Sequence, residues 1–66
     1  MDKVLFPEVL VQLSGEDGNA FYILGAVSKA LKHAGYKTEA ETFITEATSG
    51  DYDHLLQTAS RYVSVM

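Results

Sequence analysis

The spacing of apolar residues divides the chain into one strand-like segment and three helical segments. Val9, Val11 and Leu13 recur at every second position, and this alternation predicts a strand over about 8–13. Pro7 has no backbone N–H to donate to a sheet, so it marks an edge, a bulge or the beginning of the strand. A shorter strand before Pro7 is the other arrangement that this pattern allows.

The first helical segment follows a connection of turn-forming residues at 14–19 (SGEDGN). Asp17 or Asn19 is expected to cap the helix, since both side chains accept hydrogen bonds from free backbone N–H groups. Gly35 is suited to end the helix because glycine adopts positive φ angles without steric cost. The apolar face of this helix, predicted over 20–34, comprises Ala20, Ile23, Leu24, Val27, Ala30, Leu31 and Ala34.

Two further helices are predicted from the same periodicity. Thr38 and Glu41 have the spacing of a capping box at the start of the second helix, and Ser49 and Gly50 end it. Asp51 is suited to cap the third helix. The apolar stripes comprise Ala40, Phe43, Ile44 and Ala47 in the second helix, and Tyr52, Leu55, Leu56, Ala59, Tyr62 and Val63 in the third.

These elements predict a single small α+β domain over 1–66, with an N-terminal strand followed by three short helices. Residues 63–66 form either a short C-terminal strand that pairs antiparallel with the first strand, or a frayed helix end. Truncation of Leu56 to alanine is expected to cost about 2–5 kcal/mol. The predicted core comprises Val9, Val11, Leu13, Leu24, Val27, Leu31, Phe43, Ile44, Leu55, Leu56 and Ala59.

Composition and charge narrow the functional classes. Nine acidic residues against five scattered basic ones give a formal net charge of −4, which argues against a nucleic-acid partner. The absence of cysteine excludes disulfides and cysteine-ligated zinc. No apolar run approaches the ~20 residues of a membrane span. The N-terminus does not resemble a signal peptide, so we expect a cytoplasmic protein without a membrane partner.

The densest cluster of chemically capable side chains lies at 51–54 (DYDH). Asp51, Asp53 and His54 are candidates for a metal- or small-ligand-binding site, alone or completed between two copies in a dimer. Helical geometry works against convergence, since Asp53 and His54 point to different sides of the third helix. The alternative is structural: an N-cap, an acid that complements the helix dipole and a solvated histidine. We therefore assign no metal and no cofactor.

A candidate partner-binding surface lies on the first helix, at Phe21, Tyr22, Gly25, Ala26 and Lys29. The two aromatic residues cannot both join the apolar stripe. Glycine inside a helix costs about 0.5–1 kcal/mol relative to alanine, a cost often associated with close approach of another backbone. An aromatic anchor on a partly apolar surface is typical of protein interfaces. The alternative is that the strand packs on this side and buries the helix on two faces.

An enzyme is not expected. The chain has no GxSxG elbow and no cysteine, and no base lies beside a hydroxyl in a recognisable pattern. The connection at 14–19 lacks the GxGxxG and P-loop patterns, and its two carboxylates would repel a phosphate. The leading hypothesis is a non-catalytic interaction module that binds a partner protein or itself. The alternative is a metal- or small-ligand-binding domain at 51–54, whereas a charge of −4 is too mild for a mimic of nucleic acid.

Three segments, LSGEDGNAF, KALKHAGY and EATSGDYDHLLQT, together resemble a family of short uncharacterised proteins from bacteria and phages. The resemblance covers residues 11–63, most of the chain. It implies neither an activity nor catalytic residues, because that family has no established biochemical role. The N-terminal VLFPE segment departs from the family's pattern, so the resemblance supports the three helices rather than the start of the fold.

Overall fold

Five elements form the fold, and the computed structural model describes them over residues 4–13 and 19–65. The α+β prediction is confirmed. Residues 14–18 of the predicted connection at 14–19, with the candidate cap Asp17, and Met66 lie outside the described residues. In chain order the elements are β1 (Phe6–Val11), α1 (Ala20–His33), α2 (Lys37–Ala47), α3 (Tyr52–Tyr62) and β2 (Val63–Val65).

β1 and β2 form a two-stranded parallel sheet, with Phe6 opposite Val63 and Leu10 opposite Ser64. The register shifts between Phe6 and Leu10, a stretch that contains Pro7, so the pairing of β1 is irregular at this point. The Ser64 hydroxyl donates to the Pro7 carbonyl oxygen at 2.9 Å. The C-terminal strand is confirmed, but its predicted antiparallel direction is wrong. β2 follows α3 without a loop, so the packing of α3 sets its direction, and the helices supply the long crossover that parallel strands need.

Both ends of α1 are set by local sequence, as predicted. The Asn19 side-chain oxygen accepts hydrogen bonds from the backbone N–H groups of Phe21 at 2.8 Å and Tyr22 at 3.4 Å. These are donors that the first turn of a helix leaves without partners. At the other end Gly35 has a φ of 95°, which residues with a Cβ rarely adopt.

The predicted capping box at Thr38 is wrong. α2 begins at Lys37 after Tyr36, and within the described chain no side-chain hydrogen bond caps this end. The Tyr36 carbonyl oxygen already accepts the first helical hydrogen bond, from the Ala40 N–H at 2.9 Å. Tertiary packing accounts for this start, because the Tyr36 ring lies against Phe6 of β1 with centroids 4.4 Å apart.

Four aromatic rings pack together beside the sheet, and we call Phe6, Tyr36, Phe43 and Tyr62 the aromatic cluster. The Tyr62 centroid lies 6.2 Å from that of Phe6 and 5.3 Å from that of Phe43, which it meets edge to face. Such pairs stabilise by about 0.5–1.5 kcal/mol beyond their buried area. The cluster joins β1 to α2 and to the end of α3.

Both tyrosine hydroxyls of the aromatic cluster donate to carboxylates. The Tyr62 hydroxyl lies 2.8 Å from Oε2 of Glu46, and the Tyr36 hydroxyl donates to Glu8. Burial and the Glu46 carboxylate raise the pKa of Tyr62 to about 12. The bond from Tyr36 holds the pKa of the Glu8 carboxyl below its usual range, and the same bond raises the pKa of Tyr36.

The core lies between the sheet and the three helices. Ile44 and Leu56, predicted as core residues, are 37% and 36% exposed, so these two predictions are wrong. The residue before each of them, Phe43 or Leu55, takes the inward position on its helix. Half-buried residues pack against the core: Phe6, Leu13, Ala20, Leu24, Ala26, Ala30 and Tyr36. The buried hydrophobic residues are Val9, Val11, Ile23, Val27, Leu31, Ala40, Phe43, Ala47, Leu55, Ala59, Tyr62 and Val63.

Candidate functional site

The turn between α2 and α3 positions the residues of the DYDH segment. α2 ends at Ala47, before the predicted Ser49 and Gly50. Asp51 caps α3 as predicted, because its carboxylate accepts a hydrogen bond from the His54 N–H at 2.9 Å. This bond fixes the first turn of α3 against the preceding turn.

His54 is half-buried and hydrogen-bonded, not solvated as the structural interpretation expected. Its Nε2 lies 2.8 Å from the Glu46 carbonyl oxygen and 3.2 Å from the Ser49 hydroxyl oxygen. A carbonyl oxygen only accepts, so Nε2 carries the hydrogen and donates to Glu46. Gly50 has no room for a side chain, since an added Cβ would lie 2.8 Å from Cγ of His54. His54 is therefore closely packed against Gly50 and hydrogen-bonded to the turn that precedes α3.

The three candidate ligand residues do not converge. Among the residues that the structure describes, no three His, Cys, Asp or Glu side chains are placed to hold a metal ion. Asp51 acts as a helix cap and Nε2 of His54 faces a carbonyl oxygen, whereas Asp53 is exposed in the first turn of α3. The alternative of a ligand site at 51–54 gains no support from this geometry.

The predicted partner face of α1 is exposed over most of its length. Phe21 is 83% exposed and Tyr22 39%, and Gly25 and Lys29 are exposed as well. Ala26 is half-buried against the core and lies at the margin of this face. The close backbone approach inferred at Gly25 is not found, since no described atom from outside this stretch of α1 lies within 4 Å of an added Cβ. The strand does not bury this side of the helix.

A groove of about 310 Å³ opens beside Phe21, where α1, the α2–α3 turn and α3 meet, and we call it the Phe21 groove. Leu55 is 4% exposed, whereas Phe21 and Tyr52 stand 83% and 40% exposed along it. A mostly apolar lining with a few polar groups is typical of binding sites. The lining residues are Ala20, Phe21, Leu24, Ala47, Thr48, Gly50, Asp51, Tyr52 and Leu55.

The Phe21 groove brings together two regions that the sequence presents as separate. Phe21 of the partner face and Asp51 of the ligand cluster both line it. Leu24 and Tyr52 also line it, although their spacing assigned them to apolar core stripes. Leu24 lies three residues after Phe21, and residues at that spacing are neighbours on a helix surface. That spacing is the signal from which Leu24 could have been identified.

The charged residues nearest to the Phe21 groove along the chain are acidic. Asp51 lines the groove and Asp53 follows in the first turn of α3. Glu46 precedes the lining residue Ala47, but its carboxylate accepts a hydrogen bond from Tyr62 in the aromatic cluster. Among the described residues, the lysines and the arginine lie toward the opposite end of their helices: Lys29, Lys32, Lys37 and Arg61.

Two other surface cavities, of about 360 and 390 Å³, are each lined by a single helix among the described residues. A cavity beside one helix encloses little of a ligand, so the Phe21 groove, to which three segments contribute, is the stronger candidate. The first cavity is lined by Thr38, Glu41, Thr42, Thr45 and Glu46, and the second by Leu56, Gln57, Ser60 and Arg61.

Comparison with known proteins finds no family model, no curated protein and no solved structure that matches this chain. The resemblance to short bacterial and phage proteins therefore stays a prediction. Among the described helices, none combines the length and the apolar composition needed to cross a membrane.

Proposed function

We propose that this chain is a small cytoplasmic protein-interaction module, without catalysis of its own, that binds a partner protein through the Phe21 groove. An apolar side chain of the partner inserts between Phe21 and Tyr52, over the buried Leu55. Tyr22, on the adjoining exposed face of α1, contacts the same partner beside the groove.

The exposure of Phe21 is the observation that carries this proposal. Full burial of a phenylalanine side chain stabilises by about 1.5–3 kcal/mol, and at 83% exposure the isolated chain gains little of it. Leu10, at 63%, is also exposed, but it lines none of the described cavities. An exposed aromatic ring beside an apolar groove is the arrangement in which interface hot spots are found.

The small volume of the groove and the exposure of its aromatic rings favour a protein segment over a small molecule. Its volume of about 310 Å³ lies at the lower end of the roughly 300–1,000 Å³ found for small-molecule sites. Its aromatic rings, Phe21 and Tyr52, are exposed at the surface, where they are accessible to a partner's side chains.

Selection from a random peptide display library against the immobilised protein tests the proposal. Peptides enriched on the wild type are expected to bind Phe21→Ala at least about tenfold more weakly, a loss typical of an interface hot spot. Leu10→Ala is the matched control, because it removes another exposed apolar side chain outside the groove. Alanine is a better helix former than phenylalanine, so Phe21→Ala is expected to fold.

Two results would contradict the proposal. One is a selection in which no peptide is enriched over a blank support. The other is a set of peptides that bind wild type, Phe21→Ala and Leu10→Ala with equal affinity, because the contact would then lie elsewhere on the surface.

A further inference from the structure

The Phe21 groove lies in an acidic part of the molecule, and this charge indicates the chemistry of its occupant. Asp51 lines the groove, and Asp53 directly follows the lining residue Tyr52. The Glu46 carboxylate, by contrast, accepts a hydrogen bond from Tyr62 in the aromatic cluster. The N-termini of α1 and α3 each contribute about half a positive charge, which the C-terminus of α2 partly cancels. The two full negative charges of Asp51 and Asp53 therefore outweigh the helix dipoles.

The described cations lie too far along their helices to neutralise these carboxylates. Lys29 lies eight residues after Phe21 in α1, or about 12 Å along the axis. Lys37 lies about 15 Å before Ala47 in α2, and Arg61 about 13 Å after Tyr52 in α3. The Debye length at physiological ionic strength is about 8 Å, so their effect on the groove is largely screened.

We infer that the Phe21 groove binds a protein segment in which one bulky apolar side chain is flanked by lysine or arginine. The apolar side chain contacts Phe21, Tyr52 and Leu55, and the flanking cations lie near Asp51 and Asp53. This inference rests on the proposed function and names the chemistry of its partner. Electrostatic complementarity of this kind adds specificity and a faster encounter to the apolar contact.

A second copy of this chain is the less favourable occupant. A symmetric dimer that placed Phe21 of each chain in the groove of the other would bring the two Asp51 carboxylates toward each other. Each chain also carries a formal net charge of −4, so the encounter of two copies is repulsive. A basic segment meets no such repulsion.

Tryptophan peptides provide a direct probe, because the chain contains four tyrosines and no tryptophan. Peptide fluorescence then reports burial of the inserted ring without a tryptophan background. Three peptides of equal length, acetylated and amidated at their ends, each carry one tryptophan with a pair of identical residues on either side. The flanking residues are lysine in the first peptide, serine in the second and glutamate in the third. The protein is the full chain, titrated at low and at physiological salt.

The lysine peptide is expected to bind with a blue shift, about five- to tenfold more tightly than the serine peptide. The glutamate peptide is expected to bind most weakly, and the differences should shrink as salt is added. Asp53→Asn should narrow the gap between the lysine and serine peptides, because it removes one carboxylate without removing a helix cap. Phe21→Ala should abolish the blue shift, and Leu10→Ala should leave it unchanged.

Equal affinity for the lysine and serine peptides would overturn the inference, while insertion of the tryptophan would still support the proposed function. If no peptide binds, the oligomeric state of the wild type is measured by analytical ultracentrifugation. If the wild type is a dimer and Phe21→Ala is a monomer, the occupant of the groove is a second copy of the chain. That result would overturn the inference of a basic segment and would still support the groove as an interaction surface. A wild-type monomer that binds no peptide would overturn the inference, and an unenriched display selection would then remove the proposed function as well.

Discussion

The aromatic cluster and the Phe21 groove use the same residue types in opposite ways. In the cluster, Phe43 and Tyr62 are buried, their rings are in contact, and the Tyr62 hydroxyl donates to a carboxylate. In the groove, Phe21 and Tyr52 are exposed, and among the described residues neither ring pairs with another aromatic ring. The difference arises from the neighbours, because β1 covers the cluster and no described element covers the groove. Aromatic residues in this chain are therefore buried in one region and exposed at the surface in the other.

The two phenylalanines give the sharpest test of this difference. Phe43→Ala is expected to lower the free energy of unfolding by about 3–5 kcal/mol, because it leaves a cavity in a fully buried position. Phe21→Ala is expected to change it by less than about 0.5 kcal/mol. Urea denaturation followed by circular dichroism measures both. Equal destabilisation by the two variants would show that Phe21 is part of the core.

Two adjacent leucines separate the base of the groove from the outer surface of α3. Leu55 is 4% exposed, so Leu55→Ala is expected to lower the free energy of unfolding by about 2–5 kcal/mol. Leu56 is 36% exposed, so Leu56→Ala is expected to lower the free energy of unfolding by less than about 1 kcal/mol. This value replaces the larger loss expected from the sequence, where the apolar spacing assigns Leu56 to the core. Thermal melts of both variants compare them, and a larger loss in Leu56→Ala would reverse the assignment of the inward face.

Two glycines distinguish the packed turn beside the groove from the open face of α1. Gly50→Ala is expected to lower the free energy of unfolding by about 1–3 kcal/mol, because the alanine Cβ would overlap the His54 ring. Gly25→Ala is expected to stabilise by about 0.4–1 kcal/mol, since its position is helical and open. A double-mutant cycle of Gly50→Ala with His54→Ala checks the cause. Without recovery in the double variant, the loss would have another origin.

The pH dependence of stability tests the burial of Tyr62. Its pKa is raised to about 12 in the folded state, so its contribution is fully present below the unfolded pKa of about 10. It is then lost as the pH rises toward 12. We expect the free energy of unfolding to fall more steeply over this range in the wild type than in Tyr62→Phe. Parallel curves would mean that the hydroxyl is accessible to water.

The smallest effect is expected at the edge of the aromatic cluster, where Glu8 is exposed. The folded pKa of Glu8 lies below its ordinary value of 4.5, so its bond to Tyr36 stabilises above that pH. The contribution is lost as the pH falls through the folded pKa. Glu8→Gln should therefore be slightly less stable than the wild type near neutral pH and equal to it in acid. A difference that persists in acid would indicate a cause other than the carboxylate charge.

The groove shows how far site prediction from the sequence reaches. Phe21 was identified because an aromatic residue beyond the apolar stripe of an amphipathic helix is visible in a single segment. Tyr52 was not, because it fits the stripe of α3 by spacing and is exposed only by the way the helices meet. Asp51 was identified as a cap, and its place in the groove lining follows from the packing of α1 against the turn.

The sequence alone determined the features that depend on residues a few positions apart. These are the three helices, the caps at Asn19 and Asp51 and the C-terminal turn at Gly35, because their hydrogen bonds and φ angles are local. Only the tertiary structure decided the parallel direction of β2, the start of α2 at Lys37, the exposure of the residues beside each core position and the groove itself. Each of these results from contacts between segments far apart in the chain, and the periodicity of a single segment does not record its neighbours.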